Sequence, residues 1–199
     1  MTGPADIHRP AAVLDTCTLI PGGQRDFLLQ LAAEGGFRPV WSSGILDELN
    51  DVLGRIWARQ GKADDPRRRQ HLITEMKRAF PRSTVVAARD QSYPYGLADP
   101  DDGHVAHAAV TTGASFLVTD DRQAGFKTCG PLNAIGVKVV TAPDFVAQIL
   151  HLDPRLGVRA VEQMSKRRSQ PAQTAKQIVD DLVAGYHMAE VGAVLWPLL

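Results

Sequence analysis

Apolar residues along this chain fall into short unbroken runs separated by stripes at helical spacing. Ala11–Leu14, Arg38–Trp41, Thr84–Ala87, Phe116–Val118 and Val137–Val140 are brief, mainly apolar runs bounded by turn residues, as expected of strands covered on both faces. Arg25–Ala33 reads as a helix closed by Gly35-Gly36. The clearest helix follows Ser42-Ser43, either of which can cap it. There Ile45, Leu46, Leu49, Val52, Leu53, Ile56 and Trp57 form one stripe at about 100° per residue. Glu48 lies on the edge of that stripe, whereas Asp47 and Asp51 point away from it. Gly61 ends the helix. Asp65-Pro66 reads as cap and first residue of the next, with Leu72, Ile73, Met76 and Phe80 inward. Arg89–Ala98 is a loop holding Tyr93-Pro94-Tyr95-Gly96. Asp99-Pro100 opens a helix that runs to about Thr112 and is ended by Gly113. Pro143–Leu150 is a further helix.

The order β-α-β-α-α-β-α-β-α-β-α predicts an α/β fold with a central, largely parallel sheet between helical layers. After Asp153-Pro154 the strands stop. Residues 154–199 read as two or three helices with a polar break at Lys166–Gln173. The expected organisation is therefore an α/β domain over 11–150 and a helical appendage over 151–199, packed on the domain or offered to a partner.

Composition narrows the function classes. With 199 residues, 44% of them hydrophobic, the chain can bury a real core. Its 22 basic residues balance 22 acidic ones. A neutral total excludes a uniformly basic chain, yet local patches can still meet a nucleic acid. Cys17 and Cys129 fit no metal spacing and suit the thiols of a reducing cytoplasm. No apolar leader region stands at the N-terminus, and no apolar run reaches about 18 residues. The expectation is a soluble, cytoplasmic protein without a membrane partner.

Candidate chemistry lies in the acids. Asp15 closes the first strand, Glu48 sits early in the helix after the second, Asp99 and Asp102 open a helix after the third, and Thr119-Asp120-Asp121 end the fourth. In a parallel sheet all these positions share one edge, where ligand crevices form. Two carboxylates about 5 Å apart repel by about 3 kcal/mol at an effective dielectric near 20. Some would take up protons unless a hard divalent cation offset the charge. Neither His nor Cys recurs beside the acids in each segment, which argues against zinc. The favoured reading is one or two Mg²⁺ or Mn²⁺ ions held by Asp15, Asp102 and Asp121, directly or through water, while Glu48 either ligates through water or orients the attacking water; Asp99 and Asp120 are further acids beside them. Thr16 and Thr119 would supply supporting hydroxyls.

In the order Val13-Leu14-Asp15-Thr16, Ser43 through Glu48 to Leu53, Asp99-Pro-Asp-Asp102-Gly-His-Val-Ala and Phe116-Leu-Val-Thr-Asp-Asp121, the chain resembles the PIN-domain ribonucleases over about residues 11–150. The resemblance implies Mg²⁺- or Mn²⁺-dependent cleavage of single-stranded RNA by a metal-activated water, leaving a 3′-hydroxyl and a 5′-phosphate. Its four acids are Asp15, Glu48, Asp102 and Asp121, while Asp120 falls on a variable position. Many bacterial members are similar to VapC toxins, held inactive by a cognate antitoxin. Homodimers are common among PIN domains.

Blander readings stand beside these. Asp99 and Asp102 occupy cap and N3 positions, so helix capping alone would account for them. Thr119-Asp120-Asp121 could be a plain strand-to-turn signal. Arg67-Arg68-Arg69 with Lys77 and Arg78 is a solvated face or a phosphate contact. Arg122 and Lys127, beside the acids, are better placed to hold a scissile strand. Tyr93 and Tyr95 stack on bases or simply pack their loop. His104 and His107 are expected at the surface or rim, not as ligands. Two rival functions remain: a non-catalytic PIN-like module that binds RNA or protein, and a haloacid-dehalogenase-like phosphatase. The phosphatase needs an aspartate where Cys17 stands.

Overall fold

Four consecutive buried residues, Ala11–Leu14, form β1 in the computed structural model, which describes residues 9–61 and 65–199. The reading of the N-terminus as leader-free falls partly outside those residues. Strand β2 is Arg38–Ser42, β3 Thr84–Val85, β4 Phe116–Val118 and β5 Lys138–Val140. They form one all-parallel sheet in the order β3-β2-β1-β4-β5. The chain steps from β1 to β2 and β3 on one side, then returns to β4 and β5 on the other. Strand order therefore reverses at the β1–β4 pair, where an open α/β sheet leaves a crevice beyond its C-terminal ends. The register Leu14↔Val118 is continued by Asp15, whose N–H donates to Val118 O at 3.1 Å. The fold is α/β, as the alternation predicts, with helices around the sheet.

The described chain divides into two compact units, one of residues 10–20 and 39–139, the other of 9, 21–38 and 140–199. The first carries the sheet with helices α1 (Thr16–Leu19), α3 (Ser43–Arg59), α4 (Pro66–Ala79), α5 (Gly103–Thr112) and α6 (Gly130–Ala134). On α3 the predicted stripe buries Ile45, Leu46, Leu49 and Leu53, while Val52, Ile56 and Trp57 are half-buried. Ser42, not Ser43, caps the helix, accepting from Ile45 N–H at 2.9 Å. Asp65 caps α4 through Arg67 N–H at 2.9 Å, with Pro66 in the first turn. Gly113 ends α5 in the left-handed conformation, φ 58°, as a C-capping glycine should.

Three local expectations change. The strand predicted over Thr84–Ala87 stops at Val85. Ala87 turns instead to the start of α3, its N–H donating to Ser43 Oγ at 3.1 Å and its carbonyl accepting from Gly44 N–H at 2.9 Å. The helix predicted from Pro100 begins as a 3₁₀ turn, Pro100–Asp102, before α5. Two short helices, α1 and α6, are additional.

The second unit holds α2 (Gly22–Ala33), α7 (Ala142–Leu152), α8 (Pro154–Arg167), α9 (Ala175–Tyr186) and α10 (Ala189–Leu195). Here α2 packs against α8 and α9, and α10 against α7 and α9. Phe37 meets Phe145 edge to face at 4.8 Å. Thr174 starts α9 with a reciprocal capping box to Gln177. Among the described residues no helix is long and apolar enough to cross a membrane.

Candidate active site

All four acids read as principal ligands lie in the sheet-bearing unit, and each is positioned by a different segment. Asp15 follows β1 and is only 5% exposed. Its Oδ1 accepts from Thr16 N–H at 2.6 Å, capping α1, and its Oδ2 accepts from Thr119 Oγ1 at 2.6 Å and from the Cys17 thiol at 3.2 Å. Burial pushes the Asp15 carboxyl above its ordinary range; the bonds from Thr119, Cys17 and Thr16 pull it back, and the charge of Glu48 pushes it up again. The cost of burying this acid is thus partly met by donors arranged around it.

Glu48 lies in the second turn of α3, half-buried. The Thr16 hydroxyl donates to its Oε2 at 2.7 Å, so the residue after Asp15 aims Glu48 toward the end of β1. Thr119, one residue past β4, bridges Asp15 and Asp121: it donates to Asp15 and accepts from Asp121 N–H at 3.0 Å. Thr16 and Thr119 thus bond two of the acids, Glu48 and Asp15, through their hydroxyls. Asp121 uses Oδ1 to accept from Gln123 N–H at 2.6 Å and Ala124 N–H at 3.1 Å, which orders the loop after it.

Asp102 stands at the start of α5, half-buried, and its carboxylate makes no capping bond to that helix. Its pKa is pushed up to about 7, first by burial and then by the charges of Asp15, Asp99, Asp121 and Glu48. Those five carboxylates share one electrostatic neighbourhood. Asp99 has a second occupation, capping the 3₁₀ turn through Asp101 N–H at 3.0 Å. Asp120 is exposed and is not among the charges acting on Asp102; its N–H donates to Cys17 Sγ at 3.3 Å. Arg122 and Lys127 are exposed on the segment that follows Asp121.

Two features escape the sequence reading. Cys17 touches Asp15, Thr119 and Asp120, and its thiol is pushed up to about 12, chiefly by burial and then by the charge of Asp15. Nothing in its spacing marks it, because α1 is a single turn, too short to show a period. His104, expected at the surface or rim, is 1% exposed. Its Nδ1 shares a 2.8 Å hydrogen bond with Ser42 Oγ, and a Cβ on Gly44 would lie 2.9 Å from its ring. Burial holds its pKa below the ordinary value, so it is a neutral strut that locks α5 to the start of α3. His107 is half-buried and bonds the Tyr95 hydroxyl at 2.9 Å. Tyr93 and Tyr95 stack at 6.4 Å, and Tyr93 packs on Gly103. In the α4 region, Arg68 lies over the Trp57 ring at 5.2 Å and Arg78 pairs with Glu75.

The donor chemistry fits a hard divalent cation: the converging groups are carboxylate oxygens, and their mutual repulsion already appears in Asp102. Among the described residues no group of three or more His, Cys, Asp or Glu side chains is arranged to hold a metal ion outright. The oxygens of Asp15, Glu48 and Asp121 are instead turned to hydroxyl, thiol and backbone donors. A family model for the PIN domain matches residues 11–123. The chain belongs to the PIN-domain family. The matched PIN segment contains Asp15, Glu48, Asp102 and Asp121, and PIN domains are in general nucleases. PIN membership also disposes of the haloacid-dehalogenase-like alternative. No curated protein and no solved structure matches the chain.

Proposed function

We propose that this PIN domain is a metal-dependent endoribonuclease that cleaves single-stranded or loop RNA with a metal-activated water. Asp15, Glu48, Asp102 and Asp121 would hold Mg²⁺ or Mn²⁺. The observation that carries the reading is the gathering of Asp15, Asp99, Asp121 and Glu48 around the half-buried Asp102, whose pKa is pushed up to about 7 first by burial and then by those charges. When bound, such a cation offsets that charge, lowers the pKa of a coordinated water and stabilises charge developing at phosphorus. The chain's own part is orientation. Thr16 and Thr119 fix Glu48 and Asp15 by hydroxyl donation, and β1 and β4, paired at Leu14 and Val118, end in Asp15 and in the turn that carries Thr119 and Asp121. Asp15 is buried and Glu48 and Asp102 are half-buried, whereas Asp121 is exposed; carboxylates shielded from bulk water act on a phosphodiester more strongly than they would in open water.

The test compares wild type with Asp15→Asn on an RNA carrying stems and loops, in Mg²⁺, Mn²⁺ and EDTA. Wild type should cleave only with metal, leaving a 3′-hydroxyl and a 5′-phosphate, and the variant should lose on the order of 100-fold in rate. Equal cleavage by both would sink the mechanism. Within the nuclease class we propose a cytoplasmic toxin with a cognate antitoxin, a reading that extends the PIN-domain resemblance. Expression of wild type, but not of Asp15→Asn, should arrest bacterial growth. Unimpeded growth on expressing an active enzyme would point to RNA processing instead.

One observation favours a second reading, a non-catalytic module for RNA or protein: the acids are not pre-arranged around one point. Tight RNA binding with no metal-dependent cleavage would select it.

A further inference from the structure

Three helices of the second unit, α2, α8 and α9, line a cavity of about 130 Å³. Its floor is apolar, formed by the buried Met164, Ile178 and Leu182. Tyr186 makes one wall and is pinned there, because Gly23 N–H donates to its hydroxyl at 3.1 Å. A Cβ at Gly23 would come within 2.6 Å of that oxygen, so the glycine is what lets the ring seat against α2. Arg168, half-buried, and Asp181, exposed, supply the charged part of the lining.

These two charges do not meet. Among the described residues neither forms an ion pair, and the neutral carboxamide of Gln173 spans them instead. Its Oε1 accepts from Arg168 Nη1, and its Nε2 donates to Asp181 Oδ2 at 2.7 Å. An amide oxygen thus stands where a guanidinium would hold a carboxylate in a fork, and an amide nitrogen where a carboxylate would hold an ammonium. The backbone of Gln173 is tied separately, its carbonyl accepting from Ser165 Oγ at 2.6 Å, so its side chain can swing out while the chain stays in place.

We propose that this cavity is a binding site for a free α-amino acid with an apolar side chain of about leucine size. The α-carboxylate replaces Gln173 Oε1 on Arg168, the α-ammonium replaces Nε2 on Asp181, and the side chain lies on Met164, Ile178 and Leu182. Charge-assisted hydrogen bonds are about twice as strong as neutral ones, so the ligand's head group outcompetes the amide. The volume suits the side chain, since an aliphatic cavity of about 150 Å³ takes a benzene-sized group. An acidic side chain finds no donor on that floor and is rejected. The site belongs to the helical unit and does not rest on the nuclease reading.

The test is equilibrium dialysis of the full chain against labelled L-leucine at neutral pH. Binding should saturate, with Kd at or below about 1 mM. Leucinamide and N-acetyl-leucine, each lacking one charge, should compete at least about 10-fold more weakly than leucine, and glutamate no better than they do. Arg168→Gln and Asp181→Asn should each weaken binding at least about 10-fold. Gln173→Ala removes the resident amide and should tighten binding about 3-fold. Absence of saturable binding would overturn the proposal. So would unchanged affinity in both charge variants, or competition by leucinamide and N-acetyl-leucine equal to that of leucine, since the apolar floor alone would then be recognised. Weaker binding by Gln173→Ala would also overturn it, because Gln173 would then be a ligand contact and not a stand-in for the head group. None of these measurements uses RNA or metal, so the amino-acid site and the nuclease reading stand or fall separately.

Discussion

Asp102 stands where two explanations overlap in the sequence, an acid in the first turn of a helix and a member of an acid cluster. The structure separates them. Asp99 does the capping, while the Asp102 carboxylate makes no cap bond and sits in the field of four other acids. Its folded pKa, about 7, lies above the 3.8 of an ordinary aspartate, so the folded protein holds a proton that the unfolded chain has released. The resulting contribution is fully present below pH about 4 and is lost as pH rises through about 7. The whole shift corresponds to about 4 kcal/mol, and partial exposure screens it to about 2 kcal/mol. Metal-free Asp102→Asn should therefore gain on wild type between pH 5 and pH 8 in urea denaturation, and added Mg²⁺ should narrow the gap. His104 titrates in both proteins and drops out of the difference. A gap that does not change with pH would contradict this electrostatic account.

At the scale of elements, α3 does the most for the site, because it carries Glu48 and is anchored by its first turn. Ser42 Oγ both caps Ile45 N–H and bonds the buried His104, whereas Ser43 only holds Ala87. Ser42→Ala should cost about 2 kcal/mol, from the lost cap and an unpaired buried imidazole nitrogen, and Ser43→Ala about 1 kcal/mol. Thermal or urea unfolding of the two proteins checks the order. Long, periodic elements such as α3 were legible from apolar spacing, and so were strands that end in an acid. That legibility placed Asp15 at the end of β1 and Glu48 on α3, where the structure has them. It failed for α1, a single turn too short to show a period, and so for Cys17. It failed for His104 because burial on α5 depends on a glycine at 44, far away in sequence. It also overran at Val86, which is 89% exposed where a strand was expected, because Ala87 bonds to the start of α3 instead of prolonging the ladder.

At the scale of the whole molecule, the chain serves the sheet-bearing unit, leaves it after Ile20 and returns at Pro39. The excursion contains α2, whose buried Phe27, Leu28 and Leu31 belong to a unit completed by α7 to α10. Ending the chain after Leu150 would remove α8, α9 and α10 and leave the apolar faces of α2 and α7 without those partners. Such a fragment should be insoluble, or should bind a hydrophobic dye and melt without cooperativity. A soluble fragment with a sharp melting transition would show that α2 and α7 need no such cover. The same discontinuity bears on biosynthesis. Helix α2 emerges from the ribosome early, whereas α8 and α9 follow only after the entire sheet has been made. For most of its synthesis the nascent chain carries an uncovered greasy helix, a standing target for a holdase chaperone.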